Sequence, residues 1–547
     1  MSRHATRIIL LLLAVAALAI GVDGLQRRLA NPDEGRYSEI AREMALSGDW
    51  VTPRLDGIKY FEKPPLQYWA TAAVFRAFGE GEATARLYVA ACGLLTILVA
   101  AYASRRLGSP ATRLGTVLAL FASPYFMALG TIVTLDMGVT LWITAALCAF
   151  VLAEQAAERG SRSAARWIAA AWAAMALAVL SKGLIGIVFV AAAVFFHIVL
   201  RRDFSVLKRL GWGYGIPIFL ALAAPWFVMV SLRNPGFAHF FFIHEHFQRF
   251  LTHEARRVEP WWFFLPIVAF GFLPWSFAMP AAIAHAWRGE AGARFQPLRV
   301  ALAWCAFVVL FFSASGSKLP TYVLPVFPVL GIVLGRYLAD APPRRLGLWA
   351  ALGAALAIPL AAAAFSMDRR PHDAWTAQMY AAARPWAIAA VAAYLAGVLC
   401  GAGLLRAGRR WVGVAAIALG SLLVIECIEN AYEELTPRQS GWEVAQAMRP
   451  YLAPATRLYS VNHYEQTVPF YIRRTMTLVD YRDEFETGLA AEPWKAIPDL
   501  ASFPAEWLRP GEAMAIMQPG TYEKFRAQGL PMQVLHEDPR RVLVRKP

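Results

Sequence analysis

Two adjacent carboxylates and a lysine are the residues best suited to chemistry near the start of this chain. Asp33 and Glu34 lie in the segment Asn31-Pro-Asp-Glu-Gly-Arg-Tyr37, and Lys63 lies in Tyr60-Phe-Glu-Lys-Pro-Pro-Leu66. The two prolines after Lys63 favour an extended backbone there. Both segments follow the first apolar run, Ile8 to Ile20, at what reads as the edge of a membrane. Carboxylates and a fixed cation at such an edge suit work on a phosphorylated substrate. A solvated loop with ordinary charges is the alternative reading of the same residues.

The elements that must position these groups are membrane spans. The 547 residues are 58% hydrophobic and only 17% charged, with a mean hydropathy of +0.44. Soluble domains carry nearer a quarter charged residues. About thirteen apolar runs recur between Ile8 and Cys427, each close to the roughly 20 residues that cross a bilayer. They fall near 8–25, 83–103, 113–129, 137–153, 167–181, 184–200, 212–231, 263–285, 299–313, 322–337, 346–366, 386–405 and 411–428. The first is read as an uncleaved helix rather than a signal peptide, because the Asp33 segment begins so soon after it.

The formal net charge of +15 follows topology and does not indicate nucleic acid. Arginines gather in alternate connections: Arg105, Arg106 and Arg113; Arg159, Arg162 and Arg166; Arg201, Arg202 and Arg209 with Lys208; Arg288, Arg294 and Arg299; Arg336, Arg344 and Arg345; Arg406, Arg409 and Arg410. Cytoplasmic loops are the basic ones. The N-terminus is therefore expected inside, and an odd number of spans puts the C-terminus outside. Two outside loops are long, 26–82 and 232–262. The expected division is a membrane domain over 1–435, including those loops, and a soluble α/β domain over 436–547. Within the first loop, Tyr37 to Leu46 is expected to lie as a short amphipathic helix on the membrane surface. The five cysteines sit in apolar runs and read as packing residues, with no disulfide framework.

Further candidates follow from this frame. Asp136 stands at the outer start of a span, where an unpaired carboxylate is costly; helix capping is the other reading. Lys182 and Lys318 sit near span ends, where lysines also snorkel to the interface. The second long loop interleaves His239, His244, Glu245, His246, Gln248 and Arg249 with phenylalanines, a composition suited to the headgroup layer. His244 and His246 with Glu62 are a candidate divalent-metal set, for instance for zinc. Hydrogen-bonding interfacial histidines are the alternative, and no metal is expected to be required. In the C-terminal domain, Ala513 to Met517 and Gln533 to Leu535 read as strands. Glu465 is expected to reach substrate from a lid formed by that domain.

Five segments carry a resemblance: Asp33-Glu-Gly-Arg-Tyr37, Phe61-Glu-Lys-Pro-Pro-Leu66, Thr134-Leu-Asp136, Ser181-Lys-Gly183 and Ser315-Gly-Ser-Lys-Leu-Pro-Thr-Tyr322. Together they resemble the aminoarabinose transferases of Gram-negative bacteria, within the polyprenyl-phosphate-dependent, multi-span (GT-C type) glycosyltransferases. The resemblance covers nearly the whole chain. It implies a mainly α, polytopic transmembrane bundle with a small α/β periplasmic domain, in the bacterial inner membrane. It implies transfer of 4-amino-4-deoxy-L-arabinose from undecaprenyl phosphate to a phosphate of lipid A on the periplasmic face. The added cationic sugar protects against polymyxins.

The site residues follow from that expectation. Developing charge on a leaving lipid phosphate calls for fixed cations, and Lys63, Arg249, Lys318, Lys182 and Arg36 are the candidates, with Tyr60 and Tyr322 beside them. Asp33, Glu34 and Asp136 are the candidate catalytic carboxylates and possible partners for the donor's ammonium group. A hydroxyl acceptor would need a general base. A phosphate acceptor is largely ionised already, so Asp33 is read as either base or electrostatic anchor. A related transferase acting on a protein hydroxyl or another glycan is the nearest alternative function. A transporter or flippase is the more distant one, and the absence of internal repeats speaks against it.

Overall fold

The computed structural model describes residues 21–248, 259–289, 295–369 and 373–547. Most of the expected first span lies outside the described residues; residues 21–26 are helical. By internal contacts the chain forms two compact units. One comprises 1–25, 86–367 and 384–431; the other comprises 26–85, 368–383 and 432–547.

The first unit is a helical bundle. Among its described residues and their continuations, eight helices are long and apolar enough to cross a membrane, including Glu82–Leu107, Leu135–Glu158 and Ser163–Lys182. Ile185–Arg201 is apolar but shorter. Leu135–Glu158 is the most deeply buried, which fits its nearly uninterrupted apolar sequence. Where helices touch most closely, small residues allow it. A Cβ on Gly115 of Pro110–Phe121 would lie 2.4 Å from the Gly335 carbonyl oxygen of Val326–Asp340.

Three expected spans are broken helices. The run near 113–129 divides into Pro110–Phe121 and Pro124–Ala128. Pro124 has no N–H to continue the ladder. Ser123 instead accepts from the Phe126 N–H and donates to the Gly271 carbonyl at 2.6 Å. The run near 263–285 divides into Phe264–Gly271, a 3-10 turn at Trp275–Phe277 and Met279–Arg288, with Pro274 at the break. The run near 346–366 divides into Pro343–Ala354 and Ala357–Phe365.

The second unit joins the first outside loop to the C-terminal part. Its sheet contains β3 (Arg457–Val461), β4 (Thr477–Val479), β5 (Ala496–Ile497), β6 (Ala513–Met517), β7 (Gln533–Asp538) and β8 (Arg541–Arg545), with β1 (Arg54–Leu55) and β2 (Ile58–Lys59) forming a separate hairpin. The strand order is β5-β4-β3-β6-β8-β7. β3 runs parallel to β4 and β6, β4 runs parallel to β5, and β8 is antiparallel to both neighbours. Tyr459, Val461, Phe503, Trp507 and Ala515 form the core on the sheet. Both strands expected from sequence, at Ala513 to Met517 and from Gln533, are present.

Two expectations change here. The 26–82 loop belongs with the C-terminal residues as one compact unit, so the sequence boundary at 435/436 captures only part of the division. The stretch Tyr37 to Leu46 is not a surface amphipathic helix. It lies within Asp33–Ser47, where Ser38, Glu39 and Arg42 are buried as well as Tyr37, Ile40 and Met44. The polar face is covered because Glu39 and Arg42 pair with each other in the interior, at 2.6 Å.

Candidate active site

In the second unit, the Asp33–Ser47 helix begins at the residues of interest. Glu34 reaches back to accept the Ala30 N–H at 3.0 Å and is buried. It serves the helix start, an N-terminal role for which a carboxylate is suited. Asp33 is more open, with a side chain 39% exposed. Arg36, one turn on, places its guanidinium 3.7 Å from Asp33 and 3.5 Å from Glu484.

The start of that helix is held from the C-terminal part. Asn31 accepts from the Thr467 N–H at 3.0 Å and donates to Glu465. Leu29 N–H donates to the Tyr471 hydroxyl at 2.7 Å. A Cβ on Gly35 would meet the Gln466–Thr467 backbone at 2.6 Å. The glycine in the Asp-Glu-Gly-Arg motif is therefore a packing requirement, and Asp33 is placed by it.

Around Asp33 and Arg36, in the same unit, stand three buried phenols and an acidic pair. Burial pushes the hydroxyls of Tyr37, Tyr60 and Tyr68 well above the ordinary tyrosine range, so they are neutral donors. Tyr60 donates to Glu62 at 3.0 Å. Lys63 donates to the Glu62 carbonyl at 3.0 Å, with the Glu62 carboxylate 3.8 Å away. Burial raises Glu484 above the usual carboxylate range, while Arg36 and the Gln466 amide draw it back. Burial alone would lower Arg36, but Tyr60 and Glu484 outweigh it, and its charge is firmly held. The Arg36 Nε and the Tyr68 hydroxyl are buried without a hydrogen-bond partner among the described residues. Two buried donors are thus left unsatisfied in the unit that also holds Lys63.

The first unit carries a second cluster. Thr134 caps the Leu135–Glu158 helix, accepting from the Asp136 N–H. The capping reading of Asp136 therefore gives way: its carboxylate pairs with Lys182 at the end of Ser163–Lys182. The Lys182 ammonium also lies 4.7 Å over the ring of Tyr322, an arrangement that stabilises a cation. Tyr322 packs against Phe312 at 4.9 Å. Lys318 is buried and turns back to donate to the Ser315 carbonyl at 2.8 Å. The Ser315-to-Tyr322 motif thus contributes a self-bonded lysine and an aromatic support.

Some expectations are redirected. Glu465 does not reach out as a lid residue. It is buried, and its oxygens bind Asn31, His463, Arg540 and Arg541. An acidic side chain with so many donors is structural. His244 stacks on Phe240 at 5.2 Å, with Glu245 4.0 Å away. The side chain of His246 and the whole of Arg249 lie outside the described residues. Among the described residues, no three His, Cys, Asp or Glu side chains are grouped to hold a metal ion. Glu484 and Gln466 were not singled out from sequence. Glu484 lies in a charged run, Asp480-Tyr-Arg-Asp-Glu-Phe-Glu486, that gives no local reason to single it out, and the fold alone brings it to Arg36.

A bundle of broken and unbroken spans with a small mixed-sheet domain defines a protein built like the lipid-phosphate-dependent, multi-span glycosyltransferases. Residues 6–241 match the family profile described as dolichyl-phosphate-mannose-protein mannosyltransferase, and residues 444–546 match the aminoarabinose transferase C-terminal domain. The structure is similar to ArnT from Cupriavidus metallidurans bound to undecaprenyl phosphate, with a TM-score of 0.91 and 37% identity, covering 98% of this chain and 97% of that one. The apo form of that protein gives a TM-score of 0.90. This chain belongs to the aminoarabinose transferase family. Undecaprenyl phosphate-alpha-4-amino-4-deoxy-L-arabinose arabinosyl transferases of Edwardsiella ictaluri and Shewanella sediminis are 35% and 34% identical, over 57% and 58% of this chain. The aligned region spans just over half the length of these curated relatives, 56% and 57%.

Proposed function

We propose that this protein transfers 4-amino-4-deoxy-L-arabinose from undecaprenyl phosphate to a phosphate of lipid A, on the periplasmic face of a bacterial inner membrane. What carries the reading is likeness along nearly the full chain to a protein described as bound to undecaprenyl phosphate. The cation-rich cluster of Lys63 and Arg36 beside a half-open Asp33 supports it. In the reaction, the bond between sugar C1 and the lipid phosphate oxygen breaks as a lipid A phosphate oxygen bonds to C1. Undecaprenyl phosphate leaves with the electron pair. Lys63 stabilises that leaving phosphate, the kind of charge development that fixed donors serve best. A phosphate nucleophile near neutrality needs no strong base. Asp33, held by Arg36, therefore acts as an anchor for an ammonium or a bound substrate. Asp136, paired with Lys182 in the bundle, is a further candidate partner for the donor's ammonium group. No step is assigned to a divalent metal, since Glu62 is engaged by Tyr60 and Lys63.

The deciding experiment is mass spectrometry of lipid A from cells lacking their own transferase and complemented with this chain. A mass increase of one aminopentose is the expected result. Unchanged lipid A together with a glycosylated protein would move the reading to a hydroxyl acceptor.

A further inference from the structure

One charged feature of the bundle takes no part in this chemistry. At the end of Leu135–Glu158 remote from Asp136, a cavity of about 580 Å³ is lined by Arg106, Arg159, Arg166, Ser161 and Ser163. Asp136 is roughly 30 Å away along that helix, at 1.5 Å per residue. The cavity shares Tyr102, Leu152, Trp167 and Ala170 with a groove of about 470 Å³ that continues along the bundle. That groove is lined by Leu95, Leu98, Val99, Trp142 and Ala173 from Glu82–Leu107, Leu135–Glu158 and Ser163–Lys182. Its outer wall is open: Leu95, Leu98 and Tyr102 are 46%, 55% and 43% exposed.

Arginines of the bundle divide into paired and unpaired sets, and Arg105, Arg113, Arg202, Arg344 and Arg345 share with those of this cavity the lack of an ion pair among the described residues. Arg201, Arg209 and Arg336 are neutralised by Glu158, Glu154 and Asp340. Arg106, Arg159 and Arg166 form no ion pair among the described residues. Arg106 instead rests over the Tyr102 ring at 5.2 Å, and Tyr102 meets Trp167 at 5.8 Å. The aromatic pair stands between a cationic mouth and an apolar groove of span-helix side chains. A free anion would use the mouth and leave the groove empty. A neutral lipid would use the groove and leave three unneutralised guanidinium groups. Basic pockets between membrane helices suit anionic headgroups.

We propose that this groove binds one anionic diacyl phospholipid of the surrounding bilayer, with its phosphate at Arg106, Arg159 and Arg166 and an acyl chain along Leu98, Trp142 and Leu152. The site is separate from the transfer cluster and takes its ligand from the leaflet on the arginine side. Ser161 and Ser163 are placed to hydrogen-bond the headgroup.

The test uses the full-length protein in detergent, titrated with phosphatidylglycerol or phosphatidylethanolamine and observed by native mass spectrometry. Wild type is expected to retain one phosphatidylglycerol with a preference on the order of tenfold, given the gain per basic residue near an anionic surface. The triple variant Arg106→Gln, Arg159→Gln, Arg166→Gln is expected to hold both lipids alike. Ala170→Trp, which keeps the charges and fills the shared wall, is expected to weaken retention of both. Equal retention of the two lipids by wild type would overturn the proposal. So would phosphatidylglycerol retention undiminished by Ala170→Trp, or displacement of the bound lipid by undecaprenyl phosphate. If the triple variant does not fold, the wild-type preference and Ala170→Trp still decide.

Discussion

Lys63 and Asp33 lie in the same unit with different expected behaviour. Lys63→Ala removes a cation at the leaving phosphate, and the loss by analogy with other transition-state donors is about 2.7–4 kcal/mol, or roughly 100- to 1000-fold in rate. Arginine in its place should restore part of the rate, because its planar fork differs from a compact ammonium. Steady-state transfer assays on folded variants check both, and near-normal turnover in the alanine variant would take Lys63 out of the site. Asp33→Asn is expected to act chiefly on substrate binding, with a rate that stays low from pH 6 to pH 9. Recovery of that variant as pH rises would mean that Asp33 is a base after all.

A third residue responds to pH through stability. Asp56 is buried, its Oδ1 accepts from the Met476 N–H at 2.7 Å, and its Oδ2 has no hydrogen-bond partner among the described residues. Burial pushes its carboxyl well above the ordinary range. A carboxyl whose folded-state pKa is raised holds its proton more tightly folded than unfolded. The fold therefore loses stability as pH rises through the raised value, and the full contribution is present only below the unfolded value. Asp56→Asn keeps the acceptor and the size, and asparagine tolerates the left-handed backbone here, where φ is 53°. Its melting temperature should exceed wild type by a few degrees at pH 8, with the gap closing toward pH 5. A constant gap across that range would assign the effect to something other than ionisation. Asp33 and Lys63 were legible as candidates because their motifs are local. The bonding of Glu34 to the Ala30 N–H and of Glu465 to Arg540 and Arg541 was not legible, since a carboxylate so engaged looks the same in sequence as a free one. Glu484 was invisible because only tertiary folding takes it to Arg36.

At the scale of elements, the Asp33–Ser47 helix is the informative case. Its periodicity gives the helix correctly, but its polar residues suggested a solvent face. The pairing of Glu39 with Arg42 allows that face to be buried, and no local pattern announces such a pairing. At Gly35 the helix meets the C-terminal part without room for a side chain. Gly35→Val must displace the Gln466–Thr467 backbone, and overpacking of this kind costs about 1–3 kcal/mol. The expected outcome is a lower melting temperature together with reduced transfer, as Asp33 shifts with the helix start. A Gly35→Val protein as stable and active as wild type would show that the contact yields freely. The bundle was more legible. Among the described residues, helices fall on the expected apolar runs, three of them divided, because length and hydropathy decide a span. The breaks at Pro124 and Pro274 were not drawn from sequence, since prolines also occur within continuous membrane helices, as Pro217 and Pro225 do in Trp212–Arg233.

At the scale of the whole molecule, the first outside loop and the C-terminal residues form one compact unit. A single unit lies on a single side of a membrane, so the two must share a compartment whatever the span count. From the arginine distribution, that compartment is expected to lie outside the cytoplasm. Alkaline phosphatase fused after Pro547 is expected to be active, as is a reporter placed in the 48–57 turn region. A split result, active at one and inactive at the other, would contradict both the unit and the topology. Sequence supplies an expected sidedness through charge. It could not supply the union of 26–85 with 432–547, because residues that pair across such a separation leave no periodic trace.

The clamp on Asp33 has a consequence for the timing of synthesis. Asn31, Leu29 and Gly35 emerge from the ribosome early, whereas Thr467, Tyr471 and the Gln466–Thr467 backbone that secure them emerge late. The Asp33 helix therefore waits, through insertion of the whole bundle, for the partners that fix its register. A nascent chain halted before residue 465 has its spans and its acidic motif but not the seating of that motif. Completion of translation is thereby the event that seats the acidic motif, and truncated products held in the membrane are expected to lack transfer activity.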